Sequence, residues 1–119
     1  MQEQIILNPS VLWEILIPTV NPRTKRPIRT RYHRVFDSQI RKISEGLTIL
    51  PPSKGQWISS NQEMLQERMI PVRFTATRAE AEKIIDFALK YYEQNCIMCY
   101  RISDLVIMKY AKEQPPKHL

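Results

Sequence analysis

Two carboxylates stand where chemistry could be done. Glu67 lies just before the apolar run Val72-Arg73-Phe74, and Glu93 lies in Tyr91-Tyr92-Glu93-Gln94-Asn95-Cys96, where a helix is expected to give way to a strand. A carboxylate at a helix C-terminus opposes the macrodipole, so Glu93 asks for a partner or ligand that offsets the cost. The plain alternative is a solvated glutamate of little consequence. Trp57, Tyr91 and Tyr92 are aromatic, and Trp57, beside the turn that Gly55 permits, can form a ligand wall, although core packing is the commoner role of each ring. Other chemistries are poorly served. Cys96 and Cys99 make a C-x-x-C spacing, but a structural metal takes four soft or nitrogen ligands, and the further candidates are only His33 and His118. In an extended segment the two thiols face opposite sides, where a disulfide is strained, so reduced thiols of a cytoplasmic protein are expected. No nucleophile triad stands out. Two glycines, Gly46 and Gly55, cannot build a glycine-rich phosphate loop. No metal and no cofactor are expected.

The charge is unevenly placed. The net charge is +6, and Arg23, Lys25, Arg26, Arg29, Arg31 and Arg34 fall within one short stretch that contains no acid. Without those six, the remaining basic residues balance the 12 acids. Such a stretch can contact phosphates. It carries one aromatic, Tyr32 at its end, and so lacks the interleaved rings that stack bases. The plain reading is a solvated or partner-binding loop; nucleic-acid binding is a lesser one, and a small anionic ligand or a contact between neighbouring subunits is about as plausible as nucleic acid.

These residues need a frame. At 119 residues and 14.1 kDa the chain is one domain, with a polar lead-in over 1–10, a basic proline-rich loop over 18–31 and a tail over 111–119 that is expected to fray. No apolar run approaches the roughly 20 residues of a membrane helix, and the first residues carry no basic secretory n-region. Val11 to Ile17, closed by Pro18, reads as a central strand with Glu14 as its exception. Val35, Phe36, Ile40 and Ile43 give helical spacing over 32–44, with Gly46 placed to stop it. Leu47 to Leu50 reads as a short strand, and 56–59 as the start of another. Residues 60–66 read as a polar loop. Residues 67–76 read as a strand with Val72, Phe74 and Ala76 on one face and Arg73 and Thr75 on the other. Thr77-Arg78-Ala79-Glu80 is a capping box opening a second helix, striped by Ala81, Ile84, Ile85, Ala88, Leu89 and Tyr92 and ending near Tyr92 or Glu93. Strands are expected over 96–100 and 105–110. The order strand, helix, strand, strand, helix, strand is the α+β ferredoxin-like arrangement, an antiparallel sheet with both helices on one face. Its other face stays open and apolar, which invites homo-oligomerisation.

The second half resembles the bacteriophage S-adenosylmethionine lyases, formerly called hydrolases. The likeness is carried by Glu93-Gln94-Asn95-Cys96-Ile97-Met98-Cys99-Tyr100, similar to a Glu-Gln-polar-Cys-apolar-apolar-Val-Tyr run. The amphipathic helix before it, the ending Tyr110-Ala111-Lys112, His33-Arg34, Gly46, and Glu67 ahead of Val72-Arg73-Phe74 also match in style, over roughly residues 12–112. The family has a functional tyrosine after its glycine turn, where this chain has Trp57. The resemblance implies a PII-like trimer with ligands in clefts between subunits. It implies that the carboxylate of S-adenosylmethionine attacks its own γ-carbon, giving methylthioadenosine and homoserine lactone without metal or protein nucleophile. Glu67 and Glu93 would then anchor the substrate, and Trp57, Gln94 and Tyr92 would contact it. The competing class is a non-catalytic PII-like module that binds a nucleotide or a protein partner.

Overall fold

A computed structural model describes residues 10–44 and 46–111. Seven elements follow in the order β1 (Val11–Pro18), α1 (Thr30–Ser44), β2 (Thr48–Ile49), β3 (Ser53–Ile58), β4 (Met64–Ala76), α2 (Arg78–Tyr91) and β5 (Cys99–Arg101). The sheet runs β2-β4-β1-β5, with β3 also on β4, and all of its pairs are antiparallel. β2 and β3 are two pieces of one edge strand. Ile49 faces Val72 and Ser53 faces Met69, so three residues including Pro51-Pro52 oppose two on β4. That extra residue is a bulge at the position where proline can donate no ladder bond. With β2 and β3 joined, the order is the ferredoxin-like, PII-like one.

The core lies between the sheet and both helices. Ile15 and Ile17 of β1, Val72, Phe74 and Ala76 of β4, Phe36 and Ile40 of α1, and Ala81, Ile84 and Ala88 of α2 form one buried cluster. Period-2 and period-3.6 patterns thus meet on one face, as the sequence predicts. The capping box is present in full: the Glu80 amide donates to Thr77 Oγ1 at 3.2 Å, and the Thr77 amide donates to Glu80 Oε1 at 2.9 Å.

Glu14, the exception within β1, is buried on the other face at 7% exposure. Its cross-strand neighbours are Arg73 on β4 and Tyr100 on β5. Arg73 Nε donates to Oε1 at 2.9 Å and the Tyr100 hydroxyl donates to Oε2. Burial alone would raise the carboxyl's pKa, but these two donors outweigh it and hold the group below its ordinary range.

Several expected boundaries move. α1 begins at Thr30, so Arg31 is helical rather than loop. Val35 is exposed instead of joining the apolar stripe. Gly46 is not left-handed, so α1 stops without the glycine cap. β4 begins at Met64, taking in residues read as loop, because β3 supplies a partner from Ser53 onward. Of the two late strands only Cys99–Arg101 pairs among the described residues; 105–110 lies outside strands there, with Leu105, Ile107 and Met108 exposed. The lead-in up to residue 9, the tail from 112 and His118 lie outside the described residues. Segment 18–31 is a bonded turn rather than an open loop. Val20 bridges Pro27, the Asn21 amide donates to Arg26 O at 2.9 Å, and Asn21 Oδ1 accepts from the Arg23 and Thr24 amides at 2.8 and 3.1 Å.

Candidate functional site

β4 outruns β1. Pro18, the last residue of β1, faces Met69, so the part of β4 before Met69 pairs with β3 alone and forms a two-stranded arm. On this arm Trp57 faces Leu65 and Gly55 faces Glu67. Gly55 has a positional reason. A Cβ there would run into the Met69 methyl and crowd the Trp57 ring, so the bare backbone lets both side chains lie close.

The arm, the end of β1 and the segment between α2 and β5 enclose a groove of about 220 Å³. Trp57 and Glu67 line it from the arm, Leu16 and Pro18 from β1, and Gln94 and Cys96 from the connecting segment. Three of the residues singled out from sequence, Trp57, Glu67 and Gln94, therefore share one groove. Their side chains can offer an aromatic face, an acceptor with negative charge and an amide.

Tyr92 and Glu93 go elsewhere. Tyr92 is a core residue; its hydroxyl lies 2.7 Å from His33 Nδ1, and burial raises the phenol's pKa. Burial also lowers the pKa of His33. Glu93 follows the Tyr92 cap of α2 with φ of 52°, the left-handed position that usually holds glycine. Its carboxylate pairs with Arg23 Nη2 at 3.1 Å and accepts from Asn21 Nδ2 at 3.5 Å. The partner that its awkward place demands is thus the basic turn. Cys99 sits in β5 with its thiol pushed up to about 11 by burial and the nearby Glu14 charge, which makes it a poor nucleophile. Cys96 is exposed, and both thiols are free. Among the described residues no three His, Cys, Asp or Glu side chains gather as a metal site, and no helix is long and apolar enough to cross a membrane.

No protein-family profile and no curated protein sequence matches the chain. Solved structures do. The divalent cation tolerance protein CutA1 of Thermus thermophilus superposes with a TM-score of 0.59 at 8% identity, over 79% of this chain and 82% of that one. A phage S-adenosylmethionine lyase in complex with S-methyl-5'-thioadenosine gives 0.59 at 8% identity, over 83% and 84%. CutA from Synechococcus elongatus gives 0.58 at 8% identity, over 85% and 81%. At that identity the likeness is one of fold: this chain has the ferredoxin-like, PII-like architecture that those proteins share.

The remaining basic residues stand apart from the groove. Arg26, Arg29 and Arg31 line a second cavity of about 600 Å³, floored by Ile28, Tyr32 and Tyr91. The Tyr32 and Tyr91 rings stack with centroids 4.1 Å apart, and each hydroxyl donates to the other's backbone carbonyl, at 2.5 and 2.8 Å. The sequence shows one aromatic in the basic stretch; the fold brings the second from α2. No local pattern announces that meeting, because it depends on how α1 and α2 pack.

Proposed function

We propose that the protein is a small-ligand enzyme of the S-adenosylmethionine lyase kind, acting at the groove between the arm and the α2–β5 segment. The observation that carries the reading is that Trp57, Glu67 and Gln94, far apart in sequence, line that one groove. It is supported by the run from Glu93 to Tyr100 and by a fold shared with a lyase whose bound product is methylthioadenosine.

The ligand is cationic at sulfur and at its ammonium group. Trp57 would offer a ring face to the sulfonium, a cation–π contact, and Glu67 would hold the ammonium. Gln94 would donate or accept at the polar end. Folding the chain of the ligand brings its carboxylate oxygen in line with its γ-carbon. The new C–O bond closes the lactone as the C–S bond breaks, and the bonding pair leaves on sulfur as a neutral thioether. Opposite charges cancel in that step, so a dry pocket that fixes the geometry supplies much of the rate. No proton need move to or from the protein. Glu93 would act indirectly, by tying the basic turn to the cap of α2 next to Gln94.

The groove on one chain is smaller than the roughly 300–1,000 Å³ of common ligand pockets. A second copy would complete it. The arm leaves Ile58, Met64 and Leu65 exposed, and the segment after β5 leaves Leu105, Ile107 and Met108 exposed, a content that favours assembly, and the trimer is the state the family likeness suggests. Incubation with S-adenosylmethionine, followed by chromatography, tests the activity. Methylthioadenosine and homoserine lactone in equal amounts are the expected products. Binding without either product would favour the non-catalytic module; neither binding nor product would remove the reading.

A further inference from the structure

No side chain of the basic turn lines that groove, and the cavity behind the turn has a lining of its own. Arg26, Arg29 and Arg31 form no ion pair among the described residues, whereas Arg23 of the same stretch is paired with Glu93. α1 has no acid in its first turn, so Arg31 adds positive charge to the positive end of the helix. Unpaired like charges at such an end cost stability unless something neutralises them.

They are nevertheless held in place. The Asn21 turn, the Val20–Pro27 bridge and the Arg23–Glu93 pair fix one side of the cavity. The other side is an aromatic column. Phe36 in the core packs on Phe87, Phe87 on Tyr91 with centroids 5.2 Å apart, and Tyr91 on Tyr32, which is 40% exposed. The column begins in the core and ends as a ring beside the arginines. Its volume, about 600 Å³, suits a mononucleotide-sized guest.

We infer that this cavity is a binding site for a base–phosphate unit, with Tyr32 and Tyr91 packing the planar base and Arg26, Arg29 and Arg31 taking the phosphate. Guanidinium forks match phosphate oxygens in pairs, and a fixed aromatic face accepts any base. The unit could arrive as a free nucleotide or as part of a single strand. Both present the same chemistry.

The test is calorimetric titration of the full-length protein with AMP, adenosine, inorganic phosphate and an oligodeoxyadenylate of about ten nucleotides. AMP should bind saturably with a Kd below about 1 mM, and adenosine and phosphate each at least about tenfold more weakly. The triple change Arg26→Ser, Arg29→Ser, Arg31→Ser touches exposed side chains and should melt like wild type while losing AMP affinity at least about tenfold. Tyr32→Leu should weaken AMP but leave phosphate unchanged. Glu67→Gln, in the other groove, should leave AMP binding unchanged. A strand that binds more than about tenfold tighter than AMP identifies single-stranded nucleic acid as the source, and an equal or weaker strand identifies the free nucleotide. Adenosine or phosphate binding as well as AMP, an arginine variant with wild-type affinity, or no saturable binding overturns the inference.

Discussion

The groove on the open face of the sheet and the cavity beside the helices differ in almost every respect. The groove is lined by Trp57, Glu67 and Gln94 and is small on a single chain; the cavity is lined by arginines and stacked tyrosines and is already of ligand size. One is proposed to take a cation, with a second copy closing it. The other is suited to an anion and is built from two helices and a turn of the same chain. Glu93 stands between them, beside Gln94 in sequence and bound to Arg23 in space. The difference shows how a chain that is neutral outside one short basic stretch can still separate two binding chemistries. Topology puts Glu67 on the arm and Arg26, Arg29 and Arg31 in the turn and at the start of α1.

The largest effect is expected at the platform under the open face. Glu14→Gln leaves Arg73 and Tyr100 without their carboxylate, and should cost about 1.5–3 kcal/mol in urea unfolding. AMP binding in the helix-side cavity should survive in conditions where the variant stays folded. If stability is unchanged, Glu14 does not organise that face.

Next come the two aromatic walls. Trp57→Leu should weaken S-adenosylmethionine by about tenfold and leave AMP untouched, and Tyr32→Leu should do the reverse. A variant that weakens both ligands alike would merge the two sites into one.

The two faces should also titrate apart. Burial lowers the pKa of His33, so as the pH falls below the ordinary value of 6.5 the unfolded chain binds more protons and stability drops until the lower folded value is passed. Glu14 has a lowered pKa too; its contribution is complete above its ordinary value of 4.5 and is lost as the pH falls through the lower folded value. Urea midpoints measured against pH should therefore decline in two windows, and His33→Gln should remove the upper one only. A single acid transition that His33→Gln leaves unchanged would contradict this.

The smallest effect concerns the link. Arg23 and Glu93 are 73% and 45% exposed in their side chains, so a double-mutant cycle with Arg23→Ser and Glu93→Gln should give only about 0.2–1 kcal/mol of coupling in stability. Its coupling in AMP affinity should exceed that in stability if the pair's task is to hold the turn. Equal, near-zero couplings would reduce the pair to a surface contact.

What was legible in the sequence was local. The capping box at Thr77 and Glu80, the closed run before Pro18 and the alternation of Val72, Phe74 and Ala76 against Arg73 and Thr75 all follow from short-range patterns, and all are found in the fold. What was not legible depends on partners. Met64 to Gln66 end a stretch from 60 that starts polar and passes for a loop, and they become strand because β3 lies alongside. The β-formers of 105–110 have no such partner among the described residues and stay outside strands. Glu14 looks anomalous until Arg73 and Tyr100 are set on either side of it. The grouping of Trp57, Glu67 and Gln94 was suggested by resemblance, and Tyr91 as a wall of the basic cavity by nothing in the local sequence.

The most direct measurement is the thermal shift produced by S-adenosylmethionine in three proteins side by side: wild type, Glu67→Gln, and the triple arginine-to-serine variant at positions 26, 29 and 31. The account predicts a shift in wild type and in the arginine variant and its loss in Glu67→Gln, because an ammonium held by a charged acceptor gives about ten- to a hundredfold in affinity. No shift in wild type, or an equal shift in Glu67→Gln, would contradict it.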